Sequence, residues 1–267
     1  MTDVGVVALQ VTRGSFGADL GSRGANFKTL VSQAAAVFAD RLPDVQVKLF
    51  VAPEYFFSKF DAYGTKVDGT RGELAPASHG QKMDFYDDIQ SASSLQPNII
   101  IVAGTIFYTR GKKSIEGLNV CPIAVGGRIK HKIYKQNDDQ WLKDYNKNYS
   151  YETKKRSDPV FTEKGVTFAL DICRDHNSGL ARTFAQKKNK TVQIHILISA
   201  GAAPSQCAGT YVVHCDLTGD GKEGIGTVFQ STDGSWSGSS KTRITPVGEP
   251  TASQIEGIKY VAYNLTV

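Results

Sequence analysis

Apolar positions along the chain switch between two periods. Val4–Val11 is a short run rich in β-branched residues and predicts a buried strand. From Asn26 to Phe38 the residues Phe27, Leu30, Val31, Ala34, Ala35 and Phe38 recur at helical spacing and predict an amphipathic helix. Pro43-Asp44 interrupts the chain, and Val45–Ala52 predicts a second strand. Gln81–Leu95 predicts a second helix, ended near Gln96-Pro97-Asn98, and Ile99–Gly104 a third buried strand. Asn119–Val125 and Arg128–Tyr134, divided by Gly126-Gly127, predict a β-hairpin with a two-residue turn. Val166–Ile172 predicts a strand, Gly179–Lys188 a helix, and Gln193–Ser199, Tyr211–Asp216 and Ile258–Leu265 further strands. Strands alternating with helices, plus hairpins, predict a mixed-sheet α/β or layered α+β domain.

No Pro/Ser-rich linker, heptad or fixed-period repeat divides the chain, so residues 1–267 are expected to form a single domain. Two long irregular stretches, Tyr55–Gly80 and Gln136–Asp158, interrupt the pattern, and loops of that length in a compact domain are usually functional or disordered. A hydrophobic fraction of 40% and a charged fraction of 21% exclude a disordered chain. The net charge of +5 permits an acidic partner without requiring one. The cysteines Cys121, Cys173, Cys207 and Cys215 are too sparse for a disulfide scaffold and form no C-x-x-C pair. The first residues lack a basic segment leading into an apolar one, and no apolar run approaches the about 20 residues needed to span a bilayer. The expectation is therefore a cytoplasmic protein with reduced thiols and no membrane association.

Three features suggest chemistry that their context weakens. Gly219-Asp220-Gly221-Lys222-Glu223-Gly224 satisfies G-x-G-x-x-G, but the apolar run after it, Ile225–Phe229, reads as a strand. A pyrophosphate fingerprint needs a helix there, so a hairpin loop is expected. His214-Cys215-Asp216 looks like a ligand cluster, yet neighbours on a strand point to opposite faces, so core packing is expected. Lys154-Lys155-Arg156 and Lys187-Lys188 read as solvated faces; a single-strand nucleic-acid site that recruits them with Trp141, Tyr145, Tyr149 and Tyr151 is the alternative, but no nucleic-acid motif accompanies them.

Three other segments carry a stronger signal. In Ala52-Pro53-Glu54 a carboxylate ends a strongly apolar strand, where poor solvation suits a general base. In Gly127–Lys135 strand alternation puts His131, Ile133 and Lys135 on one face, with Lys132 and Tyr134 on the other. In Asp171-Ile172-Cys173-Arg174-Asp175 a buried strand ends at a cysteine before a polar turn and a helix, the setting of an activated thiol. Read singly, each has a bland alternative: a strand-end charge, a solvated edge lysine and a small core residue.

Together these segments resemble the nitrilase, or carbon–nitrogen hydrolase, superfamily, whose Glu, Lys and Cys occur in this chain order. Ala8-Leu9-Gln10, Asn119, Asp158-Pro159-Val160-Phe161, Gly165 and Leu197-Ile198-Ser199-Ala200 extend the resemblance over most of the chain. The Phe-Pro-Glu that often follows the family's Cys motif is missing, replaced by His176-Asn177-Ser178. The resemblance implies a four-layer αββα sandwich and cleavage of a non-peptide carbon–nitrogen bond through a Cys173 thioester. It implies Glu54 as general base, Lys135 and the Arg174 N–H as stabilisers of the tetrahedral intermediate (Lys132 is the rival lysine, but the interval from Gly127 favours Lys135), and Glu152 as a second glutamate, with Glu163 or Asp139 as rivals. Tyr55, Arg174, His176 and Ala200 are the implied substrate contacts. Trp141 and Asp138/Asp139 belong to the long loops expected to wall the pocket. A small amide is the expected substrate; a nitrile, acyl transfer to an amine, or a non-enzymatic binding role are the alternatives. A homodimer or larger homo-oligomer is the implied assembly, and the implied chemistry needs no metal or organic cofactor.

Overall fold

In the computed structural model two β-sheets face each other across an apolar interior, and helices cover their outer faces. The structure describes residues 1–11, 20–60, 74–110, 116–137, 150–152, 157–217, 225–232, 236 and 241–267. In chain order the first elements are β1 (Asp3–Val11), α1 (Leu20–Arg41), β2 (Val47–Val51), β3 (Lys59–Phe60), β4 (Leu74–Ala75) and α2 (His79–Leu95). Next come β5 (Ile99–Val102), β6 (Ile106–Thr109), β7 (Glu116–Val125), β8 (Arg128–Tyr134), β9 (Ser150–Tyr151), β10 (Val160–Glu163) and β11 (Val166–Ile172). Two short helices follow, α3 (Arg174–Asn177) and α4 (Leu180–Lys187). The remaining strands are β12 (Ile194–Ser199), β13 (Tyr211–Asp216), β14 (Ile225–Ser231), β15 (Lys241–Arg243), β16 (Thr251–Ala252) and β17 (Ile258–Thr266).

The first sheet runs β16-β17-β1-β2-β5-β7-β6, with β8 and β9 also paired to β7; the second runs β10-β11-β12-β13-β14-β15. Each has a parallel centre, β1-β2-β5 in one and β11-β12-β13 in the other. Period-2 alternation sorts the side chains. Val6, Ala8, Val51, Ile100, Leu170 and Ile198 fill the space between the sheets. Leu9, Phe50 and Ile101 turn outward against Phe27, Leu30 and Phe38 of α1 and Ile89 of α2. Ala181 and Ala185 of α4 pack on Ala169 of β11. The layers are helix, sheet, sheet, helix, as the resemblance implies. Among the described residues no helix is long and apolar enough to cross a membrane.

Two differences from the predicted elements have physical causes. Helix α1 starts at Leu20, six residues before the expected start, across a stretch containing Gly21 and Gly24. Tertiary contacts override the weak propensity. Buried Arg23 donates to the carbonyls of Phe56 and Ser58, and Gly24 lets α2 approach so closely that a Cβ would fall inside the Asp88 carboxylate. Strand β6 was not expected; its four residues are too few for periodicity to reveal, and pairing with β7 defines it. The strand after the glycine-rich motif is present, antiparallel to β13 as a hairpin requires, while residues 219–224 lie outside the described residues.

Candidate active site

Strand β2 delivers Pro53 and Glu54 into a tight turn that neighbouring elements hold. Tyr55 has φ +57°, and its N–H donates to Thr105 Oγ1 at 2.7 Å. Phe57 N–H donates to the Thr105 carbonyl at 3.1 Å, and Ser58 Oγ accepts from Phe107 N–H at 3.1 Å. Gly104, with φ +77°, lies so close that a Cβ would sit 2.3 Å from the Pro53 carbonyl oxygen; only glycine fits there. Phe27, Phe56, Phe57 and Phe85 pack ring to ring behind the turn. Glu54 is thereby fixed with its carboxylate fully buried.

Lys135 reaches the same point from the end of β8. Alternation follows the prediction: Ile133 faces the interior between the sheets, whereas Lys132 lies on the opposite face with its ammonium over the Tyr86 ring. Lys135 Nζ donates to Glu54 Oε1 at 3.1 Å and lies 5.9 Å from the centroid of the Tyr55 ring. Asn119 Nδ2, from β7, donates to the same Glu54 oxygen at 3.0 Å. Lys135 is 2% exposed, so this is a buried ion pair braced by a neutral donor and an aromatic face.

Cys173 follows β11 at the facing edge of the second sheet. Its N–H donates to the Ile198 carbonyl at 2.9 Å, and its own carbonyl accepts from His176 N–H at 2.9 Å. Its φ is +50° and ψ −108°, a backbone conformation that L-residues avoid and that recurs at functional sites. It is half-buried, unlike the other three thiols. Burial pushes Cys121, Cys207 and Cys215 well above the usual thiol range, so they are held protonated.

Asp175, two residues on, ties the two edges together. Its carboxylate accepts from the N–H groups of Gln136 at 3.0 Å and Asn137 at 2.8 Å, and from Asn137 Nδ2 at 2.8 Å. The chain directly after Lys135 is thus docked on the helix directly after Cys173. Burial, reinforced by the charge of Asp171, pushes the Asp175 carboxyl up to about 7 despite these donors.

Other predicted residues occupy different settings. Tyr55 lies beneath Lys135, and exposed Arg174 follows Cys173 with an N–H that has no acceptor among the described residues. His176 does not face this edge. It is fully buried, with Nδ1 3.2 Å from Asp171 Oδ2 and Nε2 accepting from the N–H groups of Ser205 and Gln206. Ala200, directly after β12, is buried and packs with the cluster between the first sheet and its helices. Glu152 donates its N–H to the Gly117 carbonyl, and its carboxylate lies 3.4 Å from Arg110. Its rival Glu163 pairs with His131 at 2.9 Å. Trp141, Asp138, Asp139, Tyr145 and Tyr149 lie outside the described residues. Asn119 and Asp175 entered the sequence reading only as pattern matches. A polar Asn inside the apolar strand β7 was the available signal for the first.

His176, His195 and Cys207 offer ligand atoms within 4.8 Å of one another. A metal does not suit them. His176 Nε2 accepts two amide N–H groups, His195 Nδ1 accepts that of Ala208, and His195 Nε2 faces Asp171 at 3.2 Å. Each imidazole lone pair is already taken.

Comparison with solved structures identifies this architecture. An amidase of the nitrilase superfamily from Nesterenkonia AN1, in a Cys→Ala mutant, superposes with a TM-score of 0.58 at 15% identity, over 98% of this chain and 91% of that one. A Glu→Gln mutant of the same amidase gives 0.60 at 12% identity, over 98% and 90%; it carries the acetamide moiety of fluoroacetamide covalently added at its active-site cysteine. Saccharomyces cerevisiae Nit3, of branch 10 of the nitrilase superfamily, gives 0.55 at 16% identity, over 98% and 90%. The chain has the fold of these proteins. No family model matches the sequence, and no curated protein matches it.

Proposed function

We infer that this chain, whose fold is that of the nitrilase superfamily, is a carbon–nitrogen hydrolase that cleaves a small amide through a thioester on Cys173. One observation carries the reading: Lys135 and Asn119 converge on one oxygen of buried Glu54, while Asp175 docks the Lys135 chain beside a half-buried Cys173 in a strained turn. Glu54 takes the Cys173 thiol proton, and sulfur attacks the amide carbon. The carbonyl π electrons move to oxygen, where the Lys135 ammonium and the Arg174 N–H stabilise the developing charge. A donor of this kind typically contributes about 3–4 kcal/mol to the barrier. Collapse breaks the C–N bond, and Glu54 returns its proton to the departing amine. Glu54 next deprotonates a water that attacks the thioester, releasing the acid and restoring the thiol. The covalent adduct on the cysteine of the structurally similar amidase supports the nucleophile assignment.

The test is intact mass spectrometry of the protein incubated with a panel of amides, nitriles and carbamoyl compounds. A covalent adduct on the wild type that is absent in Cys173→Ala supports the thioester. An adduct that persists in Cys173→Ala, or no adduct and no turnover with any member, overturns it. Analysis of the released acyl group separates hydrolysis to a free acid from transfer to an added amine.

A further inference from the structure

A cavity of about 550 Å³ opens beside the ends of β1, β13 and β14, and Glu54, Lys135 and Cys173 do not line it. Its inner pole is a hydrogen-bonded group on the outer face of the second sheet. Ser199 and Asp216 are register partners on β12 and β13, and His214 shares the Asp216 face. The sequence expectation of opposite faces holds: Cys215 points between the sheets, its thiol 3.1 Å from the Leu9 carbonyl. Asp216 Oδ2 accepts from the Ser199 hydroxyl and, at 2.7 Å, from Gly201 N–H. Burial opposes charge on Asp216, but the bonds from His214 and Ser199 outweigh it and hold the carboxyl well below the usual range.

That ionised state fixes the imidazole. A carboxylate cannot donate, so Ser199 gives its proton to Asp216. His214 Nε2, 3.1 Å from Ser199 Oγ, therefore carries the proton shared with that oxygen. His214 is 4% exposed, lines the cavity, and has no hydrogen bond through Nδ1 among the described residues. The group is no hydrolytic triad: Asp216 lies 3.6 Å from Nε2, the nitrogen that also faces Ser199, whereas a triad needs the acid on the other nitrogen.

A second pole stands on β15. Arg243 lines the same cavity beside the Tyr263 phenol and has no carboxylate within ion-pair distance among the described residues. Apolar wall lies between the poles, from Ile225, Phe229, Pro246 and Val261. The volume suits a small organic molecule. An unpaired guanidinium selects an anion, preferably a carboxylate. The Asp216 carboxylate, which lines the cavity beside His214, selects a group carrying positive charge.

We propose that this cavity is a second ligand site, separate from the catalytic edge, for a small amino carboxylate with an apolar side chain. The ligand's ammonium faces the Asp216 carboxylate beside His214, its carboxylate pairs with Arg243, and its side chain lies against Phe229 and Ile225. The site stands whether or not Cys173 forms a thioester.

The test is titration calorimetry on the whole protein with L-phenylalanine and L-leucine as probes. Phenethylamine and 3-phenylpropionate are the single-function controls for phenylalanine. Saturable binding of an amino acid, weakened about tenfold or more for either control and to a similar extent in Arg243→Gln, supports the proposal. Arg243 is exposed, so its replacement leaves the fold intact, and an unchanged melting temperature checks this. Failure of both amino acids to bind overturns the proposal, as does equal binding to Arg243→Gln. So does loss of binding after iodoacetamide alkylation of Cys173, which would place the ligand at the catalytic edge.

Discussion

Two buried charge clusters, Asp171 with its histidines on the outer face of β11 and Glu54 with Lys135 at the ends of strands of the first sheet, differ in how their polar atoms are used. On the outer face Asp171 is closed in on itself: Oδ1 accepts from Ala181 N–H at 3.0 Å, Oδ2 faces His176 and His195, and both imidazoles accept backbone amides. Burial alone would raise the Asp171 carboxyl, but the bonds from His176 and His195 hold it at about 2. That cluster braces the helix after Cys173. Glu54 and Lys135 share one buried ion pair, and the chain after Lys135 is docked through Asp175 on the helix that follows half-buried Cys173. A network of mutually held groups rigidifies, whereas in the proposed mechanism the Glu54–Lys135 pair changes partners during the reaction. Number of buried charges therefore does not separate bracing from chemistry; what they face does.

The sharpest way to break this contrast is to disable each cluster and compare turnover with stability. Glu54→Gln or Lys135→Met is expected to lower turnover at least about a hundredfold. Each single change leaves a buried partner uncompensated and costs about 3–5 kcal/mol in denaturant unfolding, whereas the double variant costs less than the sum. Full activity in either single variant would remove the Glu54–Lys135 pair from the chemistry. Lys132→Met, on the opposite strand face, is the control and leaves turnover near wild type.

Asp171→Asn addresses the other cluster. It is expected to cost about 3 kcal/mol or more in stability while turnover per folded molecule changes little. The pH dependence carries a sign. The folded carboxyl lies below its ordinary value, so its contribution is present above the unfolded pKa of 3.8 and is lost as pH falls towards about 2. Asp171→Asn therefore flattens the acid limb of stability between about pH 4 and 2. Turnover that falls as far as in Glu54→Gln would erase the distinction between the clusters.

Asp175 gives the opposite slope only four residues away. Its folded carboxyl is raised to about 7, so its contribution is present below the unfolded value of 3.8 and is lost as pH rises through about 7. Urea unfolding of wild type across about pH 4–7 is expected to include this loss, and Asp175→Asn to remove it. A slope that survives the substitution would assign it to another group.

The order of these groups along the chain was legible because each ends an element with a strong period. The runs before Glu54 and Cys173 are apolar enough to mark buried strands, and Gly126-Gly127 set the register that put Lys135 rather than Lys132 inward. His176 was expected at the substrate, but adjacency to a Cys motif says nothing about direction. One helical turn carries its ring to the outer face, where Asp171 and His195 from two strands receive it. Such cross-strand partners depend on sheet order, which periodicity does not encode. The bond from Asn119 to Glu54 spans 65 residues and was hidden for the same reason.

The smallest predicted effect lies far from both clusters and calibrates the others. Helix α2 begins at His79, not at the expected Gln81, because Ser78 and Gln81 form a reciprocal cap. Ser78 Oγ accepts from Gln81 N–H at 3.1 Å, and Gln81 Oε1 accepts from Ser78 N–H at 2.8 Å. Ser78→Ala should cost about 1 kcal/mol, read as a lower denaturant midpoint with an unchanged slope. Turnover should stay at the wild-type value, since the cap touches neither Glu54 nor the aromatic cluster behind it. If this mild loss lowered turnover as much as Asp171→Asn did, activity would be following global stability, and the bracing role of Asp171 would need no special explanation.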